Sequence, residues 1–134
     1  MAPIRYGALP KGMPASGIYL FSEGGNHLYV GRSRDMRERL RRHCRPRATH
    51  LTGPFALHLA REATNNVKAT YKKEGSRAAL MRDPDFCAAF DVAKARIRKM
   101  DIRFIAEPDP IRQAVLEIYV AVVLETPYND FDTH

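Results

Sequence analysis

Residues 16–31 of this 134-residue chain read SGIYLFSEGGNHLYVG, two short alternating runs around a turn rich in glycine. Apolar side chains at every second position predict two β-strands, each buried on one face. The run SEGGN between them predicts a five-residue hairpin loop. If that loop pairs Phe21 with His27, Tyr19 lies directly opposite Tyr29. The two phenols would then share one face of the hairpin.

A strongly basic segment follows the hairpin. Residues 32–47 hold eight arginines against Asp35 and Glu38, a net charge of +6 out of +7 for the whole chain. The planar guanidinium group suits two-point contacts with phosphate, and neutralised phosphates release counterions from a nucleic acid. The alternative interpretation is a solvated helix face without a ligand. The arginines are Arg32, Arg34, Arg37, Arg39, Arg41, Arg42, Arg45 and Arg47.

Composition and cysteine spacing exclude several classes of protein. Hydrophobic residues make up 45% of the chain and charged residues 28%, which is ordinary for one globular domain. Cys44 and Cys87 are too far apart for a zinc ribbon, and two cysteines do not make a disulfide framework. No apolar run approaches the ~20 residues that span a bilayer, and the N-terminus lacks a signal-peptide core. We therefore expect a cytoplasmic protein without a membrane partner.

A helix is predicted directly after the second strand. Asp35 is a suitable N-cap, and Glu38 three positions later completes a capping box. The helix is expected to run to about His43. Arg39 and His43 are four residues apart and would therefore lie on one face of it.

The rest of the chain predicts further helices and a third strand. Residues 1–15 are expected to form an irregular arm, and residues 44–100 a mainly helical segment. Alternation over residues 101–106 predicts a strand, and Pro110 is suited to the first position of a helix. Together the elements predict a single domain over residues 1–134. The predicted helical pieces after the first helix are 54–66, 76–98 and 109–125.

Glu117 is the only charged side chain between Ala114 and Leu124, in a helix that is otherwise apolar. A carboxylate in that setting is expected to be partly buried, which is costly unless it is paired or bound to a metal. One interpretation is an ion pair with an arginine of the first helix. The other is ligation of a hard cation, because one or two carboxylates and several waters commonly hold Mg²⁺.

The two tyrosines also have two interpretations. A cross-strand tyrosine pair is more often a packing contact than a catalytic device. An unperturbed phenol has a pKa of about 10, so it serves as a base only beside a cation that stabilises the phenolate. The arginines and a metal at Glu117 would supply that cation. His43 could relay the proton instead, because the ordinary pKa of histidine suits the task.

Five features, in this order along the chain, resemble the GIY-YIG nuclease family. They are Gly17-Ile18-Tyr19, Tyr29-Val30-Gly31, Arg39, Glu117 and Asn129. The resemblance implies a small α/β fold with a three-stranded antiparallel sheet flanked by helices. Residues 44–100 would be a helical insertion between the first helix and the third strand.

The resemblance also implies a role for each matching residue. Tyr19 or Tyr29 would help to activate the attacking water, and Arg39 would steady the phosphate as negative charge develops on it. His43 occupies a position where family members carry tyrosine or histidine near the nucleophile. Glu117 would hold a single Mg²⁺ or Mn²⁺. The expected substrate-binding residues are Arg32, Arg34, Arg42 and Asn129, of which Asn129 is expected to tie the helix end to the sheet rather than touch substrate.

The residues and the resemblance together predict a metal-dependent endonuclease that hydrolyses DNA with one metal ion. A homodimer is expected if it cuts both strands. One alternative is a module of the same fold that binds nucleic acid without cutting, and another is an RNA-directed nuclease. Residues 44–100 depart from the family pattern and are interpreted either as a surface for recognition or dimer formation or as packing helices.

Overall fold

The computed structural model describes residues 1–46, 53–64, 79–80 and 82–129. Within those residues a short 3₁₀ turn at Tyr6–Ala8 precedes three strands and four helices longer than one turn. In the part of the chain so described, no helix is long and apolar enough to cross a membrane. The elements are β1 (Gly17–Glu23), β2 (Asn26–Ser33), α1 (Met36–Cys44), α2 (Pro54–Ala63), α3 (Pro84–Arg98), β3 (Asp101–Ala106) and α4 (Pro110–Leu124).

The three strands form one antiparallel sheet in the order β2-β1-β3. The predicted α/β fold, a small three-stranded antiparallel sheet flanked by helices, is therefore confirmed. The chain divides into two compact units. The first combines Met1–Arg41 with the segment from Lys99 onward and contains the whole sheet, and the second is Arg42–Arg98.

The hairpin turn is shorter than the five residues predicted from the sequence. Glu23 pairs with Asn26, so only Gly24 and Gly25 form the turn, with φ angles of 57° and 83°. Two successive residues with positive φ match the right-handed twist of a hairpin, and glycine adopts them without steric cost. The consecutive glycines therefore favour this tight turn.

The predicted pairing of the two strands is also wrong. Phe21 lies opposite Tyr29, and Tyr19 lies opposite Gly31. The register shifts between Phe21 and Ser22, which leaves Leu28 as an extra residue in β2. Such a β-bulge changes the offset between strands by one residue. The backbone carbonyl of Leu28 accepts a hydrogen bond of 3.2 Å from the amide of Tyr128, a contact that local sequence does not reveal.

Two glycines allow close approach within the sheet. A Cβ atom at Gly17 would overlap the backbone carbonyl of Ile105 on β3. A Cβ atom at Gly31 would overlap the ring and hydroxyl of Tyr19. A larger residue at either position would have to displace a neighbouring strand or the Tyr19 ring.

Helix α4 covers one face of the sheet. Asp109 caps its first turn, accepting hydrogen bonds from the amides of Ile111 at 2.8 Å and Arg112 at 3.0 Å. The helix ends at Glu125, which adopts the left-handed conformation with φ of 52°. These ends agree with the predicted helix. The buried cluster beneath it consists of Ile18, Leu20, Val30 and Ala121, with Leu116, Val120 and Leu124 packed against it.

The second unit is helical in its described residues, as predicted. Helix α3 begins at Pro84, however, because the side chain of Asp83 accepts hydrogen bonds from the amides of Asp85 at 3.0 Å and Phe86 at 3.3 Å. The predicted helix over 76–98 is therefore wrong at residues 82–83. Residues 76–78 and 81 of that prediction lie outside the described residues. The side chains of Phe55, Phe86 and Phe90 are fully buried in this unit.

Candidate active site

A polar cleft of about 250 Å³ opens in the first unit. Its walls come from β1, β2, the loop that follows β2 and α1, which are consecutive in the chain, and from α4, which lies about 80 positions later. The lining residues are Tyr19, Tyr29, Gly31, Arg32, Ser33, Arg34, Arg39, Gln113 and Glu117.

Local structure aims the charged side chains at this cleft. The backbone amide of Glu38 donates to the Asp35 carboxylate at 3.3 Å, so the predicted N-cap begins α1 and places Arg39 in its first turns. On α4, Gln113 and Glu117 are four residues apart and therefore lie on one face. The cleft thus combines arginines from the basic segment with the one carboxylate of the apolar helix.

Tyr19 is almost completely buried, with 1% of its surface exposed. Its ring contacts Phe21 edge-on, with ring centroids 5.8 Å apart. Burial raises its pKa well above 10, the negative charge of an ionised Tyr29 raises it further, and the charge of Arg39 and a hydrogen bond with it act in the opposite direction. Tyr19 is therefore a neutral phenol packed beneath the cleft and in contact with Arg39.

Tyr29 reaches the same cleft and is only partly buried. Burial and then the charge of Glu117 raise its pKa to about 12, while Arg39 lowers it. At neutral pH the hydroxyl is accordingly protonated. The two phenols do share one face of the hairpin, but Tyr29 lies diagonally across from Tyr19 and not opposite it.

Glu117 lies in the wall of the cleft with 18% of its side chain exposed. Its Oε1 is 3.5 Å from Nε of Arg32. Burial raises the pKa of this carboxyl group, while the charges of Arg32 and Arg39 lower it. The ion pair weighed from the sequence is thus present, but its arginine belongs to β2 instead of the first helix.

The donor atoms around Glu117 suit a hard cation. Glu117 shares the cleft with the oxygen-bearing side chains of Tyr29 and Gln113. Carboxylate and neutral oxygen atoms are donors that Mg²⁺ and Mn²⁺ accept, with water completing the shell. Among the described residues, no three His, Cys, Asp or Glu side chains come together as a metal cluster. A resident ion would therefore rest on Glu117 as its one acidic ligand, and the residues present fit that arrangement.

Arg34 joins Arg32 and Arg39 in lining the cleft, and its substrate-binding role stays a prediction. His43 is fully buried and Arg42 is exposed, and both belong to the second unit. The described lining of the cleft includes neither of them. Their assigned roles stay predictions.

Asn129 binds the backbone of β2. Its Oδ1 accepts from the Val30 amide at 2.9 Å, and its Nδ2 donates to the Val30 carbonyl at 2.7 Å. Thr126 donates its hydroxyl to the same Oδ1 at 2.7 Å. The side chain thus ties the segment after α4 to the strand between Tyr29 and Gly31, which is the tying role expected from the sequence. Contact with substrate stays a prediction.

Gln113 and Ser33 are cleft residues that sequence reasoning did not select. Gln113 is 2% exposed and lies one helical turn before Glu117, so its spacing from the acid was an available signal. The Ser33 hydroxyl accepts from the Asp35 amide at 2.9 Å and shapes the entry to α1.

One known protein family matches part of this chain. The model of the GIY-YIG catalytic domain matches residues 15–77, which include β1, β2, α1 and α2. No significant match to a curated protein or to a solved structure was found. Glu117 lies beyond the matched segment, so its assignment depends on the cleft and the sequence pattern. The match supports a nuclease-type function, and together with the sheet it supports the predicted resemblance of this chain to the GIY-YIG nuclease family.

Proposed function

We propose that this protein is a Mg²⁺- or Mn²⁺-dependent endonuclease that hydrolyses a phosphodiester bond in DNA. The observation that carries the proposal is the convergence of two tyrosines, three arginines and Glu117 on one cleft. These residues span almost a hundred positions of the chain, and the fold brings them into about 250 Å³. The cleft combines positive charge for a phosphate with an acid for a cation.

The arginines bind and orient the phosphate in this proposal. Arg39 touches the phenol of Tyr19, and Arg32 and Arg34 extend the positive charge along the same wall. Guanidinium groups held in a protein cleft stabilise the negative charge that develops on a phosphate during hydrolysis. A divalent ion on Glu117 would supply further stabilisation of that charge and of the leaving oxygen.

Tyr29 is the better candidate of the two phenols to meet the attacking water. It is more exposed in the cleft than Tyr19, whose surface is 1% exposed. With a pKa of about 12 it orients the water as a neutral hydroxyl unless nearby positive charge favours the phenolate. Tyr19 fits a supporting role, because it holds Arg39 from beneath.

Plasmid cleavage tests the proposal. Purified protein is incubated with supercoiled DNA and Mg²⁺ or Mn²⁺, beside EDTA and the Glu117→Ala variant. Metal-dependent nicking or linearisation that the variant lacks is the expected result. Asp91→Ala, at an exposed position of α3, is the matched control and should cut like the wild type.

A nucleic-acid-binding module of the same fold is the second candidate, favoured by the basic segment alone. A module of this kind would bind DNA in a gel-shift assay and leave the plasmid intact with every metal. Glu117→Ala would change neither result. Cleavage of single-stranded RNA with intact DNA would instead support the RNA-directed nuclease. These three outcomes are distinct in one set of assays.

A further inference from the structure

Among the described residues that line the cleft, Gln113 is the one with a neutral side-chain amide, and it is 2% exposed. Burying an amide costs free energy unless its polar atoms find partners. Its neighbour one turn along α4 is Glu117, and residues four apart on a helix present their side chains to the same side. The amide therefore lies beside the acid.

A single hydrogen bond determines which end of the amide faces the cleft. Nε2 of Gln113 donates to the backbone carbonyl of Glu107 at 2.5 Å. A carbonyl oxygen only accepts, so the atom facing Glu107 must be the NH₂ group. The carbonyl oxygen Oε1 therefore points away from Glu107, and within the described part of the chain it has no hydrogen-bond donor.

Oε1 and the Glu117 carboxylate are both acceptors supplied by α4, whereas the arginines of the cleft come from β2, the loop after it and α1, so the α4 wall is the part of the cleft that offers ligands to a cation. A phosphate would be repelled by the lone pairs of Oε1 and by the adjacent carboxylate. A divalent ion accepts amide oxygen and carboxylate oxygen as ligands of the same hard class. The backbone of Gln113 is also held in place, because its amide donates to the Asp109 carbonyl at 2.9 Å in the capped first turn of α4.

We propose that Oε1 of Gln113 is a second protein ligand for the divalent ion held by Glu117. This inference rests on the proposed function in assuming that an ion binds at Glu117. The hydrogen bond to Glu107 pre-orients the oxygen, so little conformational freedom is lost when the ion binds. Gln113 then contributes to affinity for the metal itself, independently of DNA.

Direct binding of Mn²⁺, measured without DNA, tests the inference. Mn²⁺ is titrated into the full chain and the free ion is followed by electron paramagnetic resonance. Gln113→Met keeps the side-chain length and removes both polar atoms, and it should weaken Mn²⁺ binding about tenfold or more. Gln113→Glu keeps an oxygen and loses the donor to Glu107, and it should bind Mn²⁺ at least as tightly as the wild type.

Each outcome decides the inference. Unchanged Mn²⁺ affinity in folded Gln113→Met overturns it. Weaker binding in both variants also overturns it, because the lost anchor to Glu107 and not the oxygen would then be the cause. Circular dichroism checks folding, and Gln113→Leu, which also lacks both polar atoms, replaces the methionine variant if that variant does not fold. Plasmid cleavage that depends on Glu117 but tolerates Gln113→Met would refute this inference and leave the proposed function standing.

Discussion

Glu117 connects stability and activity at the scale of a single residue. Burial raises the pKa of its carboxyl group in the folded protein above the 4.5 of an exposed glutamate. Between those two pKa values the folded state binds more protons than the unfolded state, so stability falls as pH rises through this window. At neutral pH the ionised side chain therefore destabilises the fold.

We predict that Glu117→Gln is more stable than the wild type at pH 7. The glutamine side chain has nearly the same shape as glutamate and buries no charge. The melting temperature of the variant should therefore be higher than that of the wild type. The difference should disappear below about pH 4.5, where the wild-type carboxyl is protonated in both states. Thermal unfolding from pH 4 to 8 measures it. Glu62→Gln, at an exposed position, is the control, and a less stable Glu117→Gln at pH 7 would refute this account.

Tyr19 and Tyr29 differ in exposure to the cleft, so substitution of each should have a different effect on cleavage. Tyr29→Phe removes a hydroxyl that faces the cleft, so we expect cleavage to fall by about 100-fold or more with little change in stability. Tyr19→Phe removes a hydroxyl that contacts Arg39 beneath the cleft, so a smaller loss of activity is expected. Single-turnover cleavage rates and melting curves of both variants measure this. A larger loss for Tyr19→Phe would assign the water-activating role to Tyr19.

At the scale of elements, β2 depends on the segment that follows α4. Val30 is fully buried, and both of its backbone polar groups bind the Asn129 side chain. The neighbouring bulge residue, Leu28, receives its hydrogen bond from Tyr128 in the same segment. This docking explains how an irregular strand stays ordered beside the cleft.

Asn129→Ala should cost about 1–3 kcal/mol of unfolding free energy, because it leaves the buried amide and carbonyl of Val30 without their side-chain partners. The stability of β2 around Val30 should fall more than that of the rest of the sheet. We expect amide hydrogen exchange to accelerate at Val30 more than at Ile102 of β3, whose backbone amide donates to the Ile4 carbonyl instead. Denaturant unfolding and exchange measured by NMR test it. Equal acceleration at both residues would show that Asn129 does not act on β2 specifically.

At the scale of the whole molecule, α4 has a second apolar side opposite the sheet. Its exposed residues are Ile111 (75%), Val115 (62%), Ile118 (49%), Tyr119 (63%), Val122 (68%) and Val123 (57%). They offer on the order of 600 Å², at the upper end of the patches found on monomers and close to the ~800 Å² that each partner buries in a stable interface. Ile111, Val115, Ile118 and Val122 follow the four-and-three spacing with which two helices interlock.

We predict that a second copy of this chain covers that side of α4. The exposed stripe itself is uncharged, so two molecules of net charge +7 would meet there without placing like charges in contact. Glu117 lies on another side of the helix, so both clefts would stay open to DNA. Sedimentation equilibrium should give a dimer for the wild type and a monomer for Val115→Glu/Val122→Glu. The variant should also form nicked rather than linear plasmid, and a monomeric wild type at all concentrations would contradict the prediction.

Much of this protein followed from local sequence. Features that depend only on neighbouring residues could be predicted before the fold was known. They are the alternation in residues 17–31, the cap at Asp35, the strand at 101–106 and the helix that begins at Pro110. Its isolation in an apolar helix likewise marked Glu117 as a candidate site residue, and the structure places it in the wall of the cleft. The resemblance to the GIY-YIG family rested on the order of five features: Gly17-Ile18-Tyr19, Tyr29-Val30-Gly31, Arg39, Glu117 and Asn129.

Tertiary structure decided the remaining features, because they depend on contacts between distant segments. The register of β1 and β2 includes a bulge whose backbone is satisfied by residues about a hundred positions away. Arg32 became the partner of Glu117 only when α4 packed against β2. Gln113 is distinguished in the sequence only by its spacing from Glu117. The fold made it significant by burying its amide in the lining of the cleft that also holds Glu117.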